Sequence, residues 1–145
     1  MSKSNVFETA LLELVFKNTT FSGVGDATGL PGSATAGSLY FSLHTADPGE
    51  AGDQTTNEVA YTSYARVAVA RSGSGFTVTG NAVAPAANVT FPAGTGGSGT
   101  ATHWGIGTAS SGAGKLLYKG AISPSIVCGS GVTPQLTAGT AATED

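Results

Sequence analysis

Charge is the scarcest thing in this sequence. Only 10% of its 145 residues are Asp, Glu, Lys or Arg, against the quarter or so usual in globular proteins. Lys and Arg number six, and they stand singly at Lys3, Lys17, Arg66, Arg71, Lys115 and Lys119. With no basic run and a net charge of −3, a nucleic-acid-binding face is excluded, because binding to phosphate backbones needs clustered positive charge. Cysteine is almost absent. Cys128 alone permits neither an intrachain disulfide nor a paired-cysteine zinc site, and its neighbours Ile126 and Val127 mark it as a buried strand thiol. No apolar run approaches the length of a membrane span. The first residues, MSKSNVFETALLELVFKNTT, carry Glu8 and Glu13 within their apolar part, which does not fit a signal peptide. The expectation is a protein made in a cytoplasm that stays there or leaves inside a larger assembly.

What is abundant is glycine, 22 residues of it, beside an apolar content of 40%. That is enough material for one hydrophobic core with many tight turns. Helical periodicity occurs once, over Asn5–Lys17. Asn5 suits the cap, with Glu8 three residues later. Phe7, Ala10, Leu11, Leu14 and Val15 form an apolar stripe, which Leu12 and Phe16 widen. Residues 19–37 are a Gly-rich connector. Its Gly23-Val24-Gly25 lacks the strand, the helix and the third glycine of a phosphate loop.

After residue 37 the period drops to two. In Ser38–His44, Leu39, Phe41 and Leu43 alternate with Tyr40, Ser42 and His44, a half-buried strand. Asp47-Pro48-Gly49 then reads as a type II turn opening an acidic loop with Asp47, Glu50, Asp53 and Glu58. Further strands are expected from Tyr61 on through Tyr64–Arg71, over Phe76–Thr79 (as a hairpin with the one before), 83–91 (one or two short strands), 102–106, 115–122, 125–128 and 132–136. About eight short strands after one helix predict an all-β fold, a β-sandwich of jelly-roll type. The organisation expected is a single domain over 1–145, with a helix at 1–18, the connector at 19–37, the sandwich at 38–136 and a polar tail at 137–145. The predicted core is Leu39, Phe41, Leu43, Val67, Val69, Phe76, Val78 and Ile106.

No constellation has the spacing of an active site. Ser42, His44 and Asp47 are the ingredients of a triad, but they are crowded on one strand end, without the G-x-S-x-G turn that exposes a nucleophile. His44 and His103, the only histidines, would need an acid from the 47–58 loop to hold a metal. The reading preferred here is two separate strand histidines facing solvent or an interface. The loop acids do not follow the calcium-loop spacing. No enzyme, cofactor or metal is expected.

Two stretches carry a family likeness. SLHTADPGEAGDQTTNEVAYTSYARVAVAR (42–71) and ATHWGIGTASSGAGKLLYKGAI (101–122), with the N-terminal helix and its Gly-rich connector, resemble a group of small tailed-bacteriophage virion proteins. Many members are labelled tail fibre proteins. Better understood relatives are capsid cement, or decoration, proteins, small β-sandwich subunits that strap the outside of the icosahedral shell. Trp104 stands where the family pattern would have Phe. The resemblance implies a structural virion protein on the capsid exterior that binds the major capsid protein, with a tail-fibre or receptor-binding module as the alternative. It implies no catalytic residue, no nucleic acid and no membrane. A homo-oligomer is expected, a dimer before a trimer. The interface is expected at Phe7, Leu12 and Phe16 of the helix, Asp47, Glu50 and Asp53 of the loop, and Arg66. Adding a chelator is predicted to leave the thermal melting temperature in place, since structural metal sites lend their binding energy to the fold. A melt lowered by several degrees would overturn this.

Overall fold

A computed structural model describes residues 2–144. The chain is mostly β, with one helix at its start and antiparallel sheets compatible with a β-sandwich. Its elements are α1 (Asn5–Lys17), β1 (Ser38–His44), β2 (Val67–Ala70), β3 (Phe76–Thr79), β4 (Ala82–Pro85), β5 (Val89–Thr90), β6 (Ser98–Gly107), β7 (Leu116–Gly129), β8 (Gln135–Leu136) and β9 (Ala142–Thr143). They fall into two compact units. One comprises residues 1–38, 69–87 and 137–145, and the other residues 39–68 and 88–136.

In the first unit α1 has the expected bounds, but its cap is Ser4, whose Oγ accepts from Phe7 N. It ends where Asn18 takes the left-handed conformation at φ 59°. The helix turns a different face inward from the predicted stripe. Glu8, Leu12 and Phe16 are its buried residues, set one turn apart on one line. With Leu11, Leu12, Leu14, Val15 and Phe16 spread over more than half of the helix circumference, the sequence leaves the phase open and packing decides it. Phe16 meets Phe76 edge-on at 5.0 Å. Phe76 belongs to a hairpin with β4, which replaces the expected pairing of β3 with the strand before it. Thr79 opposes Ala82, and Gly80 takes φ +61° at the first turn position, the geometry of a two-residue hairpin. The supposed polar tail supplies β9, which pairs with β4 and buries Ala142.

Arg71 joins these pieces. Its guanidinium donates to Val15 O (2.6 Å), Leu14 O (2.8 Å) and Ala36 O (3.0 Å). Carbonyls at a helix C-terminus lack partners within the helix and carry its negative dipole end, so a cation there satisfies both demands.

The second unit is built on the sheet of order β2-β1-β6-β7, to which β2 contributes Val67 and Ala68. Phe41 is in register with Ile106 and Leu43 with Trp104, so the apolar face of β1 continues across β6. Trp104 lies over Gly120, where a Cβ would approach the indole to 2.6 Å. β7 is one strand where two were expected. Its pairing jumps from Ala121 to Ile126 across from Thr102, and Pro124, which has no N–H for a ladder, sits in that unpaired run. Of the predicted core, Leu39, Phe41, Leu43, Phe76 and Ile106 are buried. Val67, Val69 and Val78 are only half-buried. Val59, Tyr61, Val83, Val89, Phe91 and Leu136 are buried as well.

Phe41 is 0% exposed. Phe41→Ala is expected to cost about 3–5 kcal/mol in denaturant unfolding. A loss below about 1 kcal/mol would mean that the site collapses around the smaller side chain.

Candidate functional site

The alternation of β1 predicts one wet face, yet Ser42 and His44 are 0% exposed. The reason is the loop that follows. Residues 45–58 fold back over this face instead of leaving it to water. The two ends of the loop meet through Thr45 N to Asn57 O (2.7 Å), and Val59, just past the loop, donates its N–H to Leu43 O of β1 (3.0 Å). Inside the closure the His44 ring is held at both nitrogens. Nδ1 lies 2.8 Å from Thr56 O, and Nε2 lies 2.8 Å from Ser42 Oγ. A backbone carbonyl only accepts, so Nδ1 carries the proton of the neutral ring and Nε2 accepts from the serine. Burial is the main cause that lowers the His44 pKa below the ordinary histidine value.

Gln54, also 0% exposed, plugs the rest of the face. Its Oε1 accepts from Ala109 N at 2.9 Å, and its side chain occupies the space that a Cβ at Gly107 or Gly114 would take. Gly105 is needed for the same reason, since a Cβ there would lie 2.8 Å from both Ser42 Oγ and His44 Nε2.

Glu58 ends the loop. Arg66 binds it through Nε to Oε1 (2.7 Å) and Nη2 to Oε2 (2.8 Å), the two-pronged pairing that guanidinium and carboxylate shapes favour. The same guanidinium donates to Ala109 O at 3.0 Å and Gly112 O at 2.8 Å. Tyr64 OH donates to Glu58 Oε1 at 2.8 Å and accepts from Leu43 N at 3.1 Å. Burial pushes the Tyr64 phenol far above its ordinary pKa. Burial likewise raises that of Tyr61 to about 12, whose OH donates to Pro92 O at 2.8 Å.

The outer rim of the loop is acidic and preset. Gly49 takes φ +76° as the turn requires, and Gly49 N donates to Asp47 Oδ1 at 2.8 Å. Asp53 Oδ1 accepts from Thr55 N (2.7 Å) and Oγ1 (2.6 Å). These hydrogen bonds hold both carboxyls below the usual carboxylate range. Lys119 lies 3.0 Å from Asp47 and 3.2 Å from Glu50. Glu50 is almost fully exposed, and ion pairs of that kind are weak.

The arrangement offers no route to chemistry at Ser42. The serine and its histidine have the contact of a nucleophile and base, but both are sealed from solvent. The partner behind the ring is a carbonyl, and Asp47 is engaged elsewhere with Gly49 and Lys119. His44 and His103 are cross-strand partners in register on β1 and β6; of the two expected to face solvent or an interface, His44 is buried and His103 is half-buried. Among the described residues no group of three or more His, Cys, Asp or Glu side chains gathers around a common point.

Three of the expected interface residues lie elsewhere than supposed. Leu12 and Phe16 are 0% exposed, taken up by the packing of their own unit. The Arg66 side chain is 2% exposed because Glu58 and two carbonyls occupy it. Phe7 is exposed, with its ring edge-on to Phe21 at 5.6 Å, and Val6 beside it is more so. Asp47 and Glu50 are exposed and Asp53 partly so. Lys119 was not anticipated at the rim. Only the fold brings it next to a loop some seventy positions earlier in the chain.

A family model described as podophage GP4 fiber I protein gp80 matches residues 2–143. The chain belongs to this family. The podophage fibre family is one of phage structural virion proteins, which agrees with the tailed-phage resemblance of the 42–71 and 101–122 stretches. No curated protein matches the chain. No helix among the described residues is long and apolar enough to cross a membrane.

Arg66→Ala would strand the Glu58 carboxylate and two carbonyls in a nearly closed site. It is expected to destabilise the fold by about 3–5 kcal/mol, as broken buried ion pairs do. Urea unfolding checks this, and a loss below about 1 kcal/mol would place the pair with ordinary surface bridges.

Proposed function

We propose that this chain is a non-enzymatic binding subunit of the phage particle, seated in the fibre apparatus. The observation that carries the reading is the family match over residues 2–143, whose description is that of a fibre protein. The geometry supports the non-enzymatic half, because Ser42 and His44, the one nucleophile–base contact noted above, lie beneath the 45–58 loop. Binding then falls to the surface. The rim from Asp47 to Asp53 is a preset acidic edge on a rigid sheet, the kind of mounted loop on which recognition is usually found. Val6 and Phe7 at the start of α1 offer a separate apolar contact. Each contact is small, and repetition over several copies, a dimer in the simplest case, multiplies the affinity.

A second reading keeps the capsid-cement role, with the chain bound to the major capsid protein on the shell exterior. The scarcity of charge favours it, since a surface so weakly charged suits a subunit largely covered by neighbours. The two readings part on location. Gold-labelled protein is added to particles that lack it and imaged. Label on fibres or tails is the expected result, with occupancy reduced when Asp47, Glu50 and Asp53 are changed together to Ala. Saturable label over the capsid surface, with shells that better resist heat, would overturn the fibre assignment in favour of cement.

A further inference from the structure

The 45–58 loop is closed over a histidine. His44 is 0% exposed, and its ring bridges the loop at Thr56 O to the strand at Ser42 Oγ, 2.8 Å on each side. We propose that His44 is an acid-sensitive latch, whose neutral imidazole holds the 45–58 loop on the sheet and whose protonation releases it.

The neutral ring has one donor and one acceptor, and the site supplies one acceptor and one donor. A protonated ring has two donors. Ser42 Oγ would then have to turn and accept, leaving its own hydrogen without this acceptor in a site closed to water. The new charge would also be buried. The charged and titratable groups around the ring do not reverse this. Glu58, on the loop, attracts an imidazolium, but its carboxylate is already shared by Arg66 and Tyr64. Arg66 repels it, and so does His103 on β6 when charged. From β7, Lys119 is in register with Gly105 and adds a further positive charge, bound to Asp47 and Glu50.

The closed loop has little in reserve. Gln54 Nε2 is buried without a hydrogen-bond partner among the described residues, a cost that closure already carries. Burial lowers the pKa of His44 in the closed state, whereas an opened loop returns it to the ordinary value of about 6.5. Below that pH the open state binds more protons than the closed one. Closure is therefore at full strength above about pH 6.5 and is lost as pH falls beneath it. Opening would displace the whole acidic rim. The latch is a property of the fold and holds wherever on the particle the chain sits.

The test is amide hydrogen exchange of the whole protein at about pH 7.5 and about pH 5, corrected for intrinsic rates, in the wild type, His44→Gln and His103→Gln. Protection of residues 45–58 relative to β6 should fall about tenfold or more at the lower pH in the wild type and in His103→Gln. In His44→Gln that dependence should vanish. A loop equally protected at both pH values, or a dependence that survives in His44→Gln or disappears in His103→Gln, overturns the proposal. Should His44→Gln not fold, the wild-type imidazole titration followed by NMR decides. Loop opening that tracks the His44 ring supports the latch, and a ring that gains its proton while the loop amides stay protected refutes it.

Discussion

The second unit depends on the Glu58–Arg66 pair. Arg66 takes both oxygens of Glu58 and reaches to the carbonyls of Ala109 and Gly112, so one guanidinium fastens the end of the acidic loop to the turn between β6 and β7. With Glu58 fixed, Val59 pairs back to Leu43 and Thr56 meets the His44 ring. Gln54 then fills the space over Gly107 and Gly114. A pair this enclosed is not a large source of stability by itself, because desolvation offsets much of its attraction. Its effect is to specify. The bidentate geometry allows one placement of the loop, and every buried group beneath inherits that placement.

Arg71 plays the matching part in the first unit, closing the C-terminus of α1 with two carbonyl contacts and tying it to the connector through Ala36 O. Two of the six basic residues therefore serve as internal fasteners. Lys3 pairs with Glu144, Lys17 with Glu13 and Lys119 with Asp47 and Glu50. The low charge count of the sequence thus understates how little positive charge faces outward. Beside the exposed Lys115, what is left at the surface is an acidic rim and single apolar groups. A surface of that composition offers shape and local contact more than long-range electrostatic steering.

Local signals in the sequence were good guides wherever the structure obeys them locally. The helix bounds and the β1 strand follow from the period, and Gly49 takes the positive φ read for it. The readings that changed depend on partners far along the chain. The inward face of α1 is set by Phe76 and its hairpin, and a helix whose apolar residues cover so wide an arc does not announce it. The alternation of β1 correctly places Leu39, Phe41 and Leu43 inward, but it cannot show that a later loop covers Ser42 and His44. That cover had one legible trace. Gly105 and Gly107 are spaced for one face of a strand that must lie close beneath something, as interior glycines in strands often mark. The role of Arg66 had no local sign, because a guanidinium before a strand reads as surface until its acceptors are known.

The same cover settles how the Ser42–His44 contact is to be read. At 2.8 Å it has the distance of a catalytic pair, and distance alone would invite that label. A nucleophile also needs access, a base that can pass its proton on, and donors for the charge that develops. Here the base faces a carbonyl, and the serine lies under a loop whose ends are hydrogen-bonded to each other. The hydroxyl and the imidazole satisfy one another in a place that water does not reach, as buried polar groups must. The chemistry of this pair is therefore that of a hinge pin. It converts a polar strand face into an interior, and in doing so fixes the acidic rim above it.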